Sequence, residues 1–149
     1  MTKIIQQPKI KKLEKLIFNP MVQYQTSFHP EVLRIQNEAE FTRIDFICYP
    51  DRIYVNGGWV QISGESFIRP AGSKERLKLI NAINIPIAPV KHYFKSIKDS
   101  LCYTLYFPPV PKGTTTIDII ECEATGGTWF NFYSVSMERI KQKKLVVGN

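Results

Sequence analysis

Alternation of apolar and polar side chains, broken at short intervals by Gly or Pro, is what most restricts how this chain can fold. In "SLCYTLYF" (100–107), Leu101, Tyr103, Leu105 and Phe107 share one face, and Cys102, Thr104 and Tyr106 share the other. That is the period of a strand, whose successive side chains point to opposite sides. Further stretches with strand character lie at 32–36, 41–49, 52–55, 59–63, 66–70, 76–85, 115–123 and 129–137. They are rich in Ile, Val, Phe, Tyr and Thr. Between them stand turn-forming groups such as Pro50-Asp51, Asn56-Gly57-Gly58, Pro70-Ala71-Gly72-Ser73 and Gly126-Gly127. About seven to nine short strands with little helix between them predict an all-β antiparallel sandwich.

The alternation also predicts which side chains turn inward. Leu101, Tyr103, Leu105 and Phe107 form one inward set, and Ile44, Phe46 and Cys48 another, leaving Arg43, Asp45 and Ile47 outside. "IPIAPV" (85–90) carries Pro86 and Pro89, so it is expected at an edge or in a crossing between sheets. Ile117 and Ile119 point inward, which would carry Glu121 and Glu123 inward as well. Unpaired carboxylates are too costly in a core. The strand is therefore expected to bulge or to leave the sandwich near Ile120 or Glu121, with the acids at the rim.

The ends differ from the middle. In "KIKKLEKLIF" (9–18), Ile10, Leu13 and Leu16 or Ile17 fall at helical spacing, with Pro8 suited to the first helical position and Asn19-Pro20 as the stop. This predicts a short amphipathic helix or arm with Lys11, Lys12 and Lys15 outside, which needs packing to be stable. The chain divides as a basic arm at 1–20, a sandwich at 21–138 and a basic tail at 139–149. The formal charge of +7 follows that division. Residues 1–20 carry five Lys against one Glu, and the tail carries Arg139, Lys141, Lys143 and Lys144 with no acid. The sandwich has eleven basic and twelve acidic residues, so its body is close to neutral. A nucleic-acid-binding domain carries its basic excess on the folded body, so nucleic acid is disfavoured as a partner, with the basic tails the only route to one. No apolar run nears the ~18 residues of a membrane span, and the N-terminus has no signal-peptide pattern, so a cytoplasmic protein is expected.

The series "TRIDFICYP", "GGWVQISGESFIRP", "INIPIAPVKHYF", "YTLYFPPVPKGTTTIDIIE" and "FNFYSVSM" resembles a group of bacterial immunoglobulin-like β-sandwich domains. The likeness spans roughly residues 31–138 and is most specific from Leu105 to Glu121. Ser134 stands where that pattern has Gly. The resemblance implies an immunoglobulin-like sandwich and carries no established activity with it.

Little points to catalysis. Cys48, Cys102 and Cys122 are too far apart for a CxxC pair, and their odd number completes no disulfide framework. Cys48 and Cys102 lie within strands, where a thiol acts as a small apolar residue. Only His29 and His92 exist, so a zinc site would need them to converge with Cys122 from distant strands. Glu121 and Glu123 as a glycosidase couple would share one strand face about 7 Å apart, and strand-end acids are usually solvated. No phosphate cradle is present, and no metal or other cofactor is implied. Of the loop aromatics Tyr49, Tyr54, Trp59, Tyr93 and Trp129, the plainer expectation is that Trp59 and Trp129 close the ends of the core.

The expected function is therefore non-enzymatic: an interaction or structural subunit of a larger bacterial assembly, homo-oligomeric or with other proteins. Its contacts would come from sandwich edges and from Ile10, Lys11, Lys12, Leu13, Lys15, Ile17, Arg139, Lys141, Lys143 and Lys144. The alternative is a module that binds carbohydrate or peptide through Tyr54, Trp59 and Trp129.

Overall fold

The computed structural model describes residues 15–27 and 29–138. They form twelve strands: β1 (Lys15–Phe18), β2 (Val22–Gln25), β3 (Glu31–Asn37), β4 (Thr42–Cys48), β5 (Trp59–Val60), β6 (Phe67–Pro70), β7 (Leu77–Lys78), β8 (Asn81–Ile83), β9 (His92–Tyr93), β10 (Leu101–Phe107), β11 (Thr116–Ile120) and β12 (Phe132–Ser136). One five-stranded sheet has the order β1-β3-β4-β10-β8 and a second the order β2-β12-β11-β6-β7, while β5 and β9 make a small ribbon. Neighbouring strands run antiparallel throughout. There is no helix among the described residues.

The two large sheets share one core, as in a β-sandwich. Register puts Tyr103 opposite Phe46 and Leu105 opposite Ile44, so the inward sets of β10 and β4 lie side by side. Phe46 stacks on Tyr103 with ring centroids 4.9 Å apart and meets Phe132 of the other sheet at 5.8 Å. All seven residues expected inward on β4 and β10 are buried, as are Ile117, Ile119, Val135 and Met137 on the facing side. Each fully buried Ile, Leu or Phe contributes about 1.5–3 kcal/mol relative to exposure. As expected, the Pro86–Pro89 stretch is a crossing: it leaves the edge strand β8 and bonds to Ile62, whose N–H donates to Pro86 O and whose carbonyl accepts from Ala88 N.

Three expectations need correction. Lys15–Phe18 is a strand, not the end of a helix: it pairs with β3 from Lys15↔Asn37 to Phe18↔Arg34. Ile17 is 2% exposed in the core, so it is not a docking residue. Leu16-Ile17-Phe18 suits either period, and the open edge of β3 decides for the strand. Ile10, Lys11, Lys12, Leu13, Arg139, Lys141, Lys143 and Lys144 lie outside the described residues. Second, 52–55 is a loop, with Val55 94% exposed. Third, Cys102 is exposed on the outer face of β10 rather than acting as a packed apolar residue.

On the outer faces two aspartates are nevertheless buried. Asp45 accepts from Arg34 Nε (2.6 Å), Arg43 Nε (3.1 Å) and Thr104 Oγ1 (2.6 Å), which reach it from three adjacent strands. Burial pushes its carboxyl up, but those three bonds and the Arg43 charge outweigh it and hold the pKa below the ordinary 3.8. Asp118 accepts from Arg69 Nε (2.9 Å), Gly72 N (3.2 Å) and Ser134 N (3.0 Å). Ser134 has φ +51°, the left-handed region that favours Gly.

Candidate functional site

At one end of the molecule the loops enclose a cleft of about 490 Å³. Its walls come from segments far apart in sequence: Ser27 and His29, the loop from Tyr49 to Gln61, Phe94, and the stretch from Glu121 to Phe130. The Tyr49–Gln61 loop closes on itself through backbone bonds from Asp51 N to Gly57 O (2.9 Å) and from Gly57 N to Tyr54 O (3.0 Å). Asp51 Oδ1 caps the turn by accepting from Ile53 N (3.1 Å). Gly57 has φ +84°, and a Cβ there would stand 2.2 Å from Pro50 Cβ, so only glycine permits this closure.

The opposite wall is held by Asn131 and Thr26. Asn131 Oδ1 accepts from Glu121 N (2.8 Å) and Cys122 N (3.2 Å), and its Nδ2 donates to Cys122 O (2.7 Å). Thr26 Oγ1 donates to Trp129 O (2.6 Å), tying that tryptophan's backbone to the residue that follows β2. At Gly127 an added Cβ would meet Trp129 Nε1 at 2.8 Å, so glycine lets the indole lie against its own loop. The Gly-Gly pairs thus do more than turn the chain; they set the shape of both walls.

Glu121 lies in the cleft lining, 6% exposed, at the end of β11. The strand does end near Ile120, but the carboxylate stays inward rather than reaching the rim, a correction to the sequence expectation. It is satisfied there by two backbone donors, Ser63 N on Oε2 and Phe130 N on Oε1, both at 2.9 Å. Burial pushes its pKa above the ordinary 4.5, and the two hydrogen bonds offset this only in part. Glu123 faces away and pairs with Arg69 (2.6 Å) and, more loosely, Arg76 (3.8 Å). The two acids therefore do not act on one space.

The structure brings Tyr54, Trp59 and Trp129 together around this cleft, with Tyr49, Phe94 and Phe130. Trp59 is 48% exposed, so it does not close the core; its ring lies against Lys91, whose Nζ is 4.4 Å from the centroid. Sequence reading missed His29 as a lining residue, and Gln61 and Glu121 with it. Three buried side-chain atoms among the described residues have no hydrogen-bond partner: His29 Nδ1, Gln61 Oε1 and Trp129 Nε1. All three belong to residues that line this cleft. The His29 ring packs edge-on against Tyr49, with centroids 5.5 Å apart.

The groups associated with other chemistries stay apart. Among the described residues no three His, Cys, Asp or Glu are placed to hold a metal ion. All three cysteines are free, and burial pushes the Cys48 thiol, which also lines the cleft, up to about 12. At neutral pH it carries no thiolate, the form a nucleophile requires. No helix among the described residues is long and apolar enough to cross a membrane. Comparison with known proteins found no match to a family model, to a curated protein or to a solved structure.

Proposed function

We propose that this protein is a ligand-binding β-sandwich of the immunoglobulin-like kind, which holds a carbohydrate or peptide in its aromatic end cleft. One observation carries the proposal: among the described residues, the buried polar atoms without partners all belong to residues of the cleft lined by Tyr54, Trp59 and Trp129. A buried polar group without a partner costs about 1–3 kcal/mol, and native folds avoid it except where water or a ligand completes the bond. The volume supports the same reading, since ligand sites run from roughly 300 to 1,000 Å³ and are lined by aromatics with a few polar groups. Glycan and peptide arrays probed with the wild type and with Trp59→Ala test it. Capture of one class by the wild type and its loss in the variant is expected; equal capture by both proteins would refute the proposal.

A second reading, a non-enzymatic subunit of a larger assembly, is favoured by a different observation. Ile80, Ile83, Ile87, Val90 and Ile97 are exposed along and beyond β8, the outer strand of its sheet. An open strand edge flanked by apolar side chains suits contact with another chain. Removing residues 1–14 or 139–149, which spares β1, tests the part given to the arms. On this reading the intact complex from the native host loses mass while thermal unfolding stays unchanged. An unaltered complex mass after both deletions would remove the arms from it.

A further inference from the structure

We infer that the cleft is built for a neutral saccharide, stacked on the aromatic rim with its hydroxyls on His29 Nδ1, Gln61 Oε1 and Trp129 Nε1. This rests on the ligand-binding reading and narrows it. Charge makes the first cut. The lining itself holds two carboxylates, Asp51 and Glu121, and no Lys or Arg, so an anion inside the cleft would meet like charge, with Lys91 on the Trp59 ring a cation at the rim. Both oxygens of Glu121 already accept backbone N–H groups, and Asp51 accepts from Ile53 N, so neither carboxylate is fully open to a cation. Trp59, the best ring for a cation, already carries Lys91. A second cation nearby would be repelled.

Hydrogen-bond character makes the second cut. Trp129 Nε1 only donates and Gln61 Oε1 only accepts, while His29 Nδ1 does one or the other according to its tautomer. A hydroxyl donates and accepts, so neighbouring hydroxyls of one ligand match this mixed set whichever tautomer is present. A peptide would instead look for a ladder of open backbone groups along an extended strand. Here the backbone of the cleft loops is bonded internally: Asp51 N to Gly57 O, Gly57 N to Tyr54 O and Phe94 N to Gly58 O. Those groups are therefore not free to pair with an extended peptide. The C–H face of a sugar ring is the apolar, flat partner that Tyr54 and Trp59 can stack against.

Trp59 and Trp129 are the only tryptophans in the chain, so its indole emission reports the cleft alone. The full chain is titrated with neutral gluco-, galacto- and manno-configured oligosaccharides, a uronate oligosaccharide, an uncharged peptide set and tetramethylammonium chloride. A saturable emission change with a neutral saccharide alone is expected. Trp59→Ala should weaken that binding roughly tenfold, as loss of a central aromatic anchor does. Gln61→Ala should weaken it several-fold with unfolding unchanged, and Cys102→Ser, on the outer sheet face, should leave it as it was. A response to the peptides, the uronate or the ammonium salt instead overturns the saccharide assignment while leaving ligand binding intact. Silence across the whole panel overturns both.

Discussion

Asp45 and Asp118 on the outer sheet faces, and Glu121 at the cleft, are all buried carboxylates, yet their surroundings differ in kind. The two aspartates are met by arginines: Arg34 and Arg43 on Asp45, and Arg69 on Asp118. Glu121 is met only by backbone N–H groups, and near it stand side-chain atoms with no partner at all. On the faces both of these buried charges are cross-braced between strands. At the end of the sandwich polar groups are buried without being completed. On the proposed ligand-binding reading, such a difference within one small fold separates a rigid frame from the part that meets the ligand.

The comparison breaks most readily at Asp118. Asp118→Ala leaves Arg69 with only Glu123 and strands the N–H groups of Gly72 and Ser134. Removing one partner of a buried pair typically costs about 3 kcal/mol or more. Denaturant unfolding should show a loss of that size. A loss under about 1 kcal/mol would mean the face is no more committed than an ordinary surface ion pair.

A smaller effect with opposite signs comes from pH. Asp45 is lowered from 3.8, so its contribution is fully present above that pH and is lost as pH falls through its folded value. Glu121 is raised from 4.5, so folding favours its protonated form; stability is lost as pH rises from 4.5 through the folded value. Unfolding free energies measured against pH for the wild type, Asp45→Asn and Glu121→Gln separate the two. The gap between wild type and Asp45→Asn, about 1 kcal/mol at pH 7, should close as the solution is acidified below pH 3.8. The gap for Glu121→Gln, of similar size, should be widest near pH 4 and shrink toward neutrality. If both gaps move the same way, the two environments are not different in kind.

The brace was easier to read from sequence than the cleft. On β10 the alternation is clean, and Leu101, Tyr103, Leu105 and Phe107 fall where period two puts them, while on β4 the buried Asp45 departs from it. Leu16-Ile17-Phe18 carries no such decision within itself, because its apolar run fits a helix or a strand equally and only the edge of β3 settles it. The stretch 52–55 looked like a strand by composition, but Asp51 and Gly57 close it into a loop with no neighbour to pair with. Aromatic residues in loops marked Tyr54, Trp59 and Trp129. Nothing local marks Gln61, and the sequence raises His29 and Glu121 only as a zinc ligand and a glycosidase acid, since their meeting in the cleft depends on contacts such as Ser63 N to Glu121, 58 residues apart.

The finest test of the contrast is Ser134. Its φ of +51° places a side chain in a backbone region that costs an L-residue roughly 1–2 kcal/mol, while glycine's greater chain entropy costs about 0.5–1 kcal/mol. The N–H that Asp118 accepts belongs to the backbone, so Ser134→Gly keeps that bond. The strain then goes and the brace stays, which predicts a gain of about 0.5 kcal/mol in unfolding free energy. Because Ser134 is no part of the cleft lining, the tryptophan emission of the folded variant should match the wild type. A loss of stability would show that the serine side chain itself holds the face together. A shifted emission would show that the brace and the cleft are one mechanical unit rather than two.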